Sequence, residues 1–280
     1  MKTTTRRGRQ LRALHIVRIA VAIAVALFFF LPLLWMMTTA FKTSNQAFSA
    51  EVVWFFVPTL QNFATALGGS GFTAALANSA QVAVLSSILV IALASGIAYP
   101  LARFNIKGKS GITVTILSLR VVPPIVTIIP LFLLLRTFGL NGTLTAIILL
   151  HIFMNLPLAV WLLRGFYEEV PREIEEAALL DGLGHVSTFF RIILPLAMPG
   201  IAATAFLSFV FSWNEFLFAS ILSNATSRTV TVALTEYVTP VGTQWTVIMA
   251  AGTLVAIPVW IAALAAQKYL VRGLTLGAVK

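Results

Sequence analysis

Long apolar runs without charge constrain this chain more than any other feature of its sequence. The first run, residues 19–41, holds no charged side chain and follows a basic N-terminal segment. About 20 consecutive apolar residues form a helix long enough to cross the hydrocarbon core of a bilayer. Only 10% of all residues are charged, whereas a soluble domain would have about 25%. The sequence therefore predicts an all-α integral membrane protein.

Six such spans can be placed along the chain. Turn-forming glycines at positions 68, 69 and 71 divide the uncharged stretch 52–102, so the second span starts after them. The predicted spans cover residues 19–41, 75–102, 111–135, 143–163, 200–222 and 245–266. Outside the spans lie the N-terminal segment 1–18, outer loops 42–74 and 223–244, a long loop 164–199 and the tail 267–280.

The distribution of Lys and Arg predicts the orientation of these spans. With the N-terminus in the cytoplasm, the inner segments hold fifteen of these residues and the outer loops three, while Arg120 lies within the third span. Cytoplasmic loops of membrane proteins are enriched in positive charge. We therefore expect both termini and the loop 164–199 to be cytoplasmic. The net charge of +10 then reflects topology, and a nucleic-acid-binding role loses its support.

Several chemistries are disfavoured by composition. The sequence has no cysteine, and its three histidines, His15, His151 and His185, are far apart and lack the spacing of metal ligands. It also has no glycine-rich phosphate-binding loop followed by Lys-Ser or Lys-Thr, so ATP binding of that kind is not expected. We expect no catalytic residue, metal site or cofactor in this chain.

Acidic residues gather in the long loop 164–199. Six of the nine in the chain fall between Glu168 and Asp181. Pro171 is suited to the start of a helix, and the glutamates after it favour the positive end of the helix dipole. Gly182 is suited to ending that helix, and a second short helix is predicted at 185–193. From charge alone, a solvated acidic linker explains the loop equally well.

The spacing within this loop resembles a family signature. Glu176-Ala177-Ala178, followed by Gly182, Ile192 and Leu194-Pro195, resembles the EAA loop of bacterial ABC importer permeases. Other segments resemble the carbohydrate-uptake branch of that family: Pro58–Phe63, Asn78-Ser79, Ala98–Phe104, Gly139-Leu140, Ser212–Phe216 and Gly273–Lys280. The chain is similar to the second, shorter permease of maltose- and glycerol-phosphate-type systems. It departs from the pattern at Leu183, Gly184 and His185, where small and small polar residues are commoner.

The resemblance implies a type I ABC importer permease with six transmembrane helices in the bacterial cytoplasmic membrane. Such a subunit moves a sugar, polyol or oligosaccharide together with a second permease subunit, a dimer of ATP-binding subunits and an extracytoplasmic solute-binding protein. ATP and magnesium belong to the partner ATPase. The residues implied in coupling to that ATPase are Glu176, Ala177, Ala178, Gly182, Ile192, Leu194 and Pro195, with Glu176 pairing with a basic residue of the partner.

Polar residues inside the spans are candidates for a solute pathway, because charge within a bilayer is costly. Arg120 and Glu215 have opposite signs, and we expect that they can pair. Candidate pathway residues are Arg120, Asn155, Trp213, Asn214 and Glu215. A structural pair between helices that never touches solute is the alternative. His151 is expected to be a hydrogen-bonded packing residue, and Pro123, Pro124, Pro130 and Pro157 predict kinks.

Other functions remain open at this point. A permease of the same superfamily could carry amino acids, peptides or phosphate. An ion-coupled secondary transporter would place acidic residues in several spans, whereas only Glu215 lies in one. A membrane-embedded enzyme would need a cluster of His, Asp or Glu beside the spans, and such a cluster is seen only in the acidic loop.

Overall fold

The computed structural model describes residues 3–69, 71–239 and 242–276. Residues 1–2 of the N-terminal segment, 70 and 240–241 of the outer loops, and the final residues 277–280 lie outside this description. The described residues are mostly helical, which confirms the predicted all-α class. The chain divides into two compact units, one of Met1–Gly69 with Tyr237–Leu254 and one of Ser70–Glu236 with Val255–Lys280.

The first unit contains the N-terminal helices and a small hairpin. Its elements are α1 (Thr3–Ala40), α2 (Ser44–Ala47), α3 (Gln61–Gly68), and the antiparallel strands β1 (Val238–Thr239) and β2 (Gly242–Thr243). The side-chain amide of Asn62 donates to the carbonyls of Ala40 and Lys42 at 2.7 and 2.8 Å. The Lys42 ammonium lies over the rings of Trp35 and Phe56. These contacts fix the chain where it leaves α1.

The second unit contains the helices that carry the candidate site. They are α4 (Phe72–Arg103), α5 (Lys109–Ser118), α6 (Pro124–Thr137), α7 (Leu144–Glu169), α8 (Arg172–Leu180), α9 (His185–Thr188), α10 (Leu194–Leu196), α11 (Met198–Trp213), α12 (Leu217–Leu222) and α13 (Val230–Ala233). A 3₁₀ turn, Leu119–Val121, follows α5, and a π-helical turn, Phe189–Ile193, joins α9 to α10. The last helix, α14, is Trp245–Leu276.

Four helices are long and apolar enough to cross a membrane, judged over the part of the chain that the structure describes. They comprise Leu14–Ala40, Phe72–Arg103, Leu144–Glu169 and Trp245–Leu270, and they overlap the predicted first, second, fourth and sixth spans. Two further pairs of helices are bent by more than 40°, and the number rises to six if each pair forms one span. Helix length alone therefore allows between four and six crossings.

The predicted third and fifth spans are not continuous helices. The predicted third span, 111–135, is divided into two helical halves, Lys109–Val121 and Pro124–Thr137. These halves meet at an angle of 92°. Val122 is extended there, since the residue before a proline is disfavoured in helix and Pro123 lacks an N–H. The fifth, 200–222, is interrupted between α11 and α12 at residues 214–216. Pro123 and Pro124 therefore mark a sharper break than a kink, whereas Pro130 and Pro157 lie within α6 and α7.

Small and branched side chains form the core of the second unit, where α4, α7 and α11 pack together. Val90, Ala94 and Ala98 of α4 are fully buried, as is Val160 of α7. Gly200 at the start of α11 lies so close to the Phe166 ring that a Cβ would overlap it. This close approach sets how α11 leaves the long loop and meets α7.

Candidate functional site

The loop 164–199, called the coupling loop from here on, is folded and not a solvated linker. Its helix α8 follows Pro171, with Glu173 and Glu175 in the first turn. Gly182 has a φ of +87°, which only glycine adopts without strain. The N–H groups of Gly182 and Leu183 donate to the carbonyls of Leu179 and Ala178, each at 3.1 Å. This is a Schellman motif, and it reverses the chain into the second half of the loop.

The coupling-loop residues of the family signature divide between two faces. Glu176, Ala177 and Gly182 are exposed, and Ala178 is buried against the rest of the unit. Leu180, one helical turn after Glu176, is 90% exposed, and Val186 of α9 is also well exposed. An exposed carboxylate beside apolar side chains forms a surface suited to binding another protein.

The second half of the loop returns to the core at its end. Leu194 packs against the buried cluster of α4 and α7, and Ile193 beside it is fully buried. Ile192 is half-buried, whereas Pro195 is exposed. Leu194 is therefore a residue of the family signature that packs on the core of the unit.

Glu175 is a site residue that sequence reasoning missed. It lies beside Glu176 but on the inner face of α8, and its carboxylate forms an ion pair with Arg103 of α4, with Nε–Oε2 at 2.9 Å. The Tyr99 hydroxyl donates to Oε1 of Glu175 at 2.6 Å, and Arg103 Nη2 donates to the carbonyl of Val170 at 2.7 Å. Arg103 and Tyr99 belong to the segment Ala98–Phe104, which resembles the carbohydrate-uptake branch. That resemblance was the signal in the sequence that could have pointed to these two residues.

Aromatic rings surround this contact. The Tyr99 ring lies 4.7 Å from that of Phe189 and 6.0 Å from those of Tyr167 and Phe104, measured between centroids. Phe189 belongs to the second half of the coupling loop, and Tyr167 to α7. Tyr99 thus contacts both halves of the loop, Glu175 of α8 and Phe189 of the second half.

A second group of polar residues lies buried among α4, α7 and α11. This buried polar cluster consists of Ser86, His151, Ser212 and Glu215. His151 is 1% exposed and contacts Ser212 Oγ at 2.5 Å through Nδ1 and Glu215 Oε2 at 3.3 Å through Nε2. Ser86 Oγ lies 2.9 Å from Ser212 Oγ. His151 is therefore a hydrogen-bonded packing residue in this structure, as expected.

Glu215 holds the break between α11 and α12. Its carboxylate accepts from the backbone N–H groups of Phe218 and Ala219 at 2.8 and 3.0 Å. The Thr231 hydroxyl donates to the Glu215 carbonyl at 2.7 Å. The carboxylate thereby satisfies the free N–H groups at the start of α12, the role of a capping residue.

The expectation that Arg120 pairs with Glu215 is wrong for this structure. The Glu215 carboxylate bonds to His151 and to the backbone at the start of α12, as described above. The Arg120 guanidinium instead lies over the Phe211 ring, with Cζ 4.8 Å from its centroid. Its Nη1 is buried and has no hydrogen-bond partner among the described residues. The sequence shows that Arg120 and Glu215 have opposite charges. It does not show that the His151 imidazole contacts the Glu215 carboxylate.

The other pathway candidates differ in exposure. Trp213 is 2% exposed and stacks on Phe209, and Asn155 is also buried. Asn214 is exposed, and its amide donates to the carbonyl of Val210. In this conformation Asn214 is the open polar side chain at the break after α11, while Asn155 and Trp213 line no open surface. Within the described residues, no three His, Cys, Asp or Glu side chains are grouped so as to hold a metal ion.

The apolar helices, the broken spans and the folded loop together define an integral membrane transport subunit. The chain belongs to the family of binding-protein-dependent transport system inner membrane components, whose family model matches residues 88–276. The matched range includes the whole coupling loop and the buried polar cluster except Ser86. The protein is therefore a transporter permease of the inner membrane and not itself a catalytic subunit.

Curated relatives and solved structures support this placement. The chain is 38% identical over 256 residues to the probable ABC transporter permease protein y4oR of Sinorhizobium fredii, covering 91% of this chain and 92% of the relative. It is 35% identical over 263 residues to the diacetylchitobiose uptake system permease protein DasC of Streptomyces coelicolor, covering 93% and 95%. Its fold matches a chain of a bacterial ABC transporter that imports the acidic polysaccharide alginate, with a TM-score of 0.74, 21% identity and coverage of 94% and 98%.

Proposed function

We propose that this chain is the translocation subunit of an ATP-driven importer for a sugar, polyol or oligosaccharide. Two observations support carbohydrate as the solute class. The relative DasC is named for uptake of diacetylchitobiose, a disaccharide, and it aligns over nearly the whole of both chains. In this sequence, Ser212–Phe216 and the other quoted segments resemble the carbohydrate branch.

The proposed topology has six transmembrane helices with both termini in the cytoplasm. The six crossings are taken to be the four long helices, the bent pair of α5 and α6, and α11 together with α12. The excess of Lys and Arg in the inner segments supports this orientation. It places the coupling loop in the cytoplasm, where a nucleotide-hydrolysing partner can reach it.

The observation that carries the proposal is the exposed outer face of the coupling loop. Glu176 offers a carboxylate, Ala177 allows a close approach, and Leu180 and Val186 offer apolar surface to a complementary groove. An acidic residue entering a basic groove fixes orientation, while buried apolar side chains supply affinity. The partner would be a dimer of ATP-binding subunits that holds ATP and magnesium.

The remaining partners follow from the same assignment. A second permease subunit would complete the pathway, and an extracytoplasmic solute-binding protein would deliver the solute. Alternating access would follow when the ATPase dimer closes and displaces the coupling loop. In the proposed topology, Asn214 and Glu215 at the break after α11 and Arg120 at the break after α5 would lie at membrane depth, where a solute could contact them.

Uptake by the complete transporter tests the proposal. The chain is reconstituted in vesicles with its second permease, ATPase and binding protein, and ATP-dependent accumulation of labelled disaccharides and oligosaccharides is measured. We expect saturable uptake of at least one carbohydrate that unlabelled methionine or phosphate does not compete. Uptake of an amino acid or phosphate with no carbohydrate taken up would contradict the solute class and favour another branch of the superfamily.

A further inference from the structure

The ion pair between Glu175 and Arg103 lies on the side of α8 that faces away from the proposed docking surface. We infer that this pair is a positioning contact, which makes the end of α4 follow α8 when the coupling loop is displaced. The inference rests on the proposed docking of that loop to an ATPase. In this inference, Glu175 transmits movement into the membrane helices, whereas Glu176 contacts the partner ATPase.

Because the contact is buried, α8 and α4 resist sliding past each other. The side chains of Arg103 and Glu175 are 4% and 9% exposed, and their Nε–Oε2 distance is 2.9 Å. Tyr99 occupies the other carboxylate oxygen, and Val170, which precedes α8, accepts from Arg103. Separating α8 from α4 would leave buried charges without partners, which is strongly unfavourable. A displaced α8 therefore takes the end of α4 with it.

Helix α4 connects this contact to the polar residues at membrane depth. Arg103 is its last residue, and Ser86, farther along the same helix, contacts Ser212 of α11 at 2.9 Å. Ser212 lies two residues before Asn214, at the break that ends α11. The route from the coupling loop to this break thus runs along one continuous helix, from the contact of Arg103 at its end to the contact of Ser86 near its middle.

A role confined to folding would change stability without changing how much solute is moved for each ATP hydrolysed. The complete transporter, with its binding protein, is therefore compared as wild type, Glu175→Gln, Arg103→Gln and the double variant. Glu173→Gln is the matched control, since Glu173 is an exposed carboxylate on the same helix. The measured quantity is solute imported per ATP hydrolysed.

Glu175→Gln keeps the shape of the side chain and removes its charge. We expect ATP hydrolysis to continue and import per ATP to fall at least about fivefold, the lower end of coupling between sites. The double variant should resemble the single variants, because residues in direct contact do not act additively. The control should match the wild type. An unchanged ratio in Glu175→Gln overturns the inference.

If the charge variants fail to assemble, the Tyr99→Phe variant tests the inference in their place. It keeps the ion pair and removes one hydrogen bond to Glu175, so a smaller fall in the same ratio is expected, and an unchanged ratio overturns the inference. The outcome is separable from the proposed function. A wild-type transporter without ATP-driven carbohydrate uptake contradicts that function, whereas a working wild type with an unchanged ratio in these variants contradicts the inference alone.

Discussion

Ser212 Oγ at the end of α11 lies 2.5 Å from Nδ1 of His151 in α7. Because a carboxylate only accepts, His151 donates from Nε2 to Glu215, while its Nδ1 is hydrogen-bonded to the Ser212 hydroxyl. Ser212 in turn can accept from Ser86. The buried polar cluster thus forms a chain of hydrogen bonds that joins α4, α7 and the end of α11.

Replacing Glu215 by alanine should destabilise the protein. The change leaves His151 Nε2 and the N–H groups of Phe218 and Ala219 without their acceptor. A buried donor left without a partner costs about 1–3 kcal/mol. The measurement is the thermal unfolding midpoint in detergent or nanodiscs. Asn214→Ala, which removes an exposed neighbouring amide, is the control and should shift the midpoint far less; equal shifts would refute this role for Glu215.

Gly182→Val should impair the coupling loop, whereas Gly184→Val should not. The two glycines stand two residues apart, and both have open space where a Cβ would be placed. They differ in backbone conformation: φ is +87° at Gly182 and −78° at Gly184. Left-handed conformation costs a residue with a Cβ about 1–2 kcal/mol, and a β-branched side chain more. ATP-driven uptake should fall only in the Gly182 variant; similar losses in both would point to steric blocking of the surface.

Gly200→Ala should lower stability, because its Cβ would overlap the Phe166 ring. Overpacking of this kind costs about 1–3 kcal/mol, and Phe166→Leu in the same chain should recover part of the loss. Gly165→Ala is the control with the opposite sign. Gly165 lies exposed within α7 with nothing near its Cβ position, so alanine should stabilise by about 0.5–1 kcal/mol. Thermal midpoints that move in the same direction would show that the close approach of α11 and α7 is misassigned.

The helical class could be predicted from the sequence because apolar run length is a local property. The breaks were harder to predict. Pro123 and Pro124 signalled a disturbance in the third span, but a 92° angle between α5 and α6 depends on what each half packs against. No proline marks the break at Asn214. There the Glu215 carboxylate bonds to the start of α12, a contact that apolar patterning does not reveal.

The outer and inner faces of α8 show the same limit of prediction from sequence at the candidate site. The sequence pointed to Glu176 through its motif, and Glu175 beside it looked equivalent. Only the position of Arg103, at the end of a distant helix, separates the buried carboxylate from the exposed one. The proposed Arg120–Glu215 pair failed for a related reason: opposite charge in two spans does not tell that the Glu215 carboxylate contacts a third residue, His151.

ATP-driven uptake by the Glu176→Lys variant tests the central claim, that the exposed face of the coupling loop engages the ATPase. Glu169→Lys is the control, with the same charge change at an exposed position at the end of α7. We expect Glu176→Lys to insert and fold but to show uptake no higher than in the absence of ATP, while Glu169→Lys imports like the wild type. Wild-type uptake by Glu176→Lys would contradict the account.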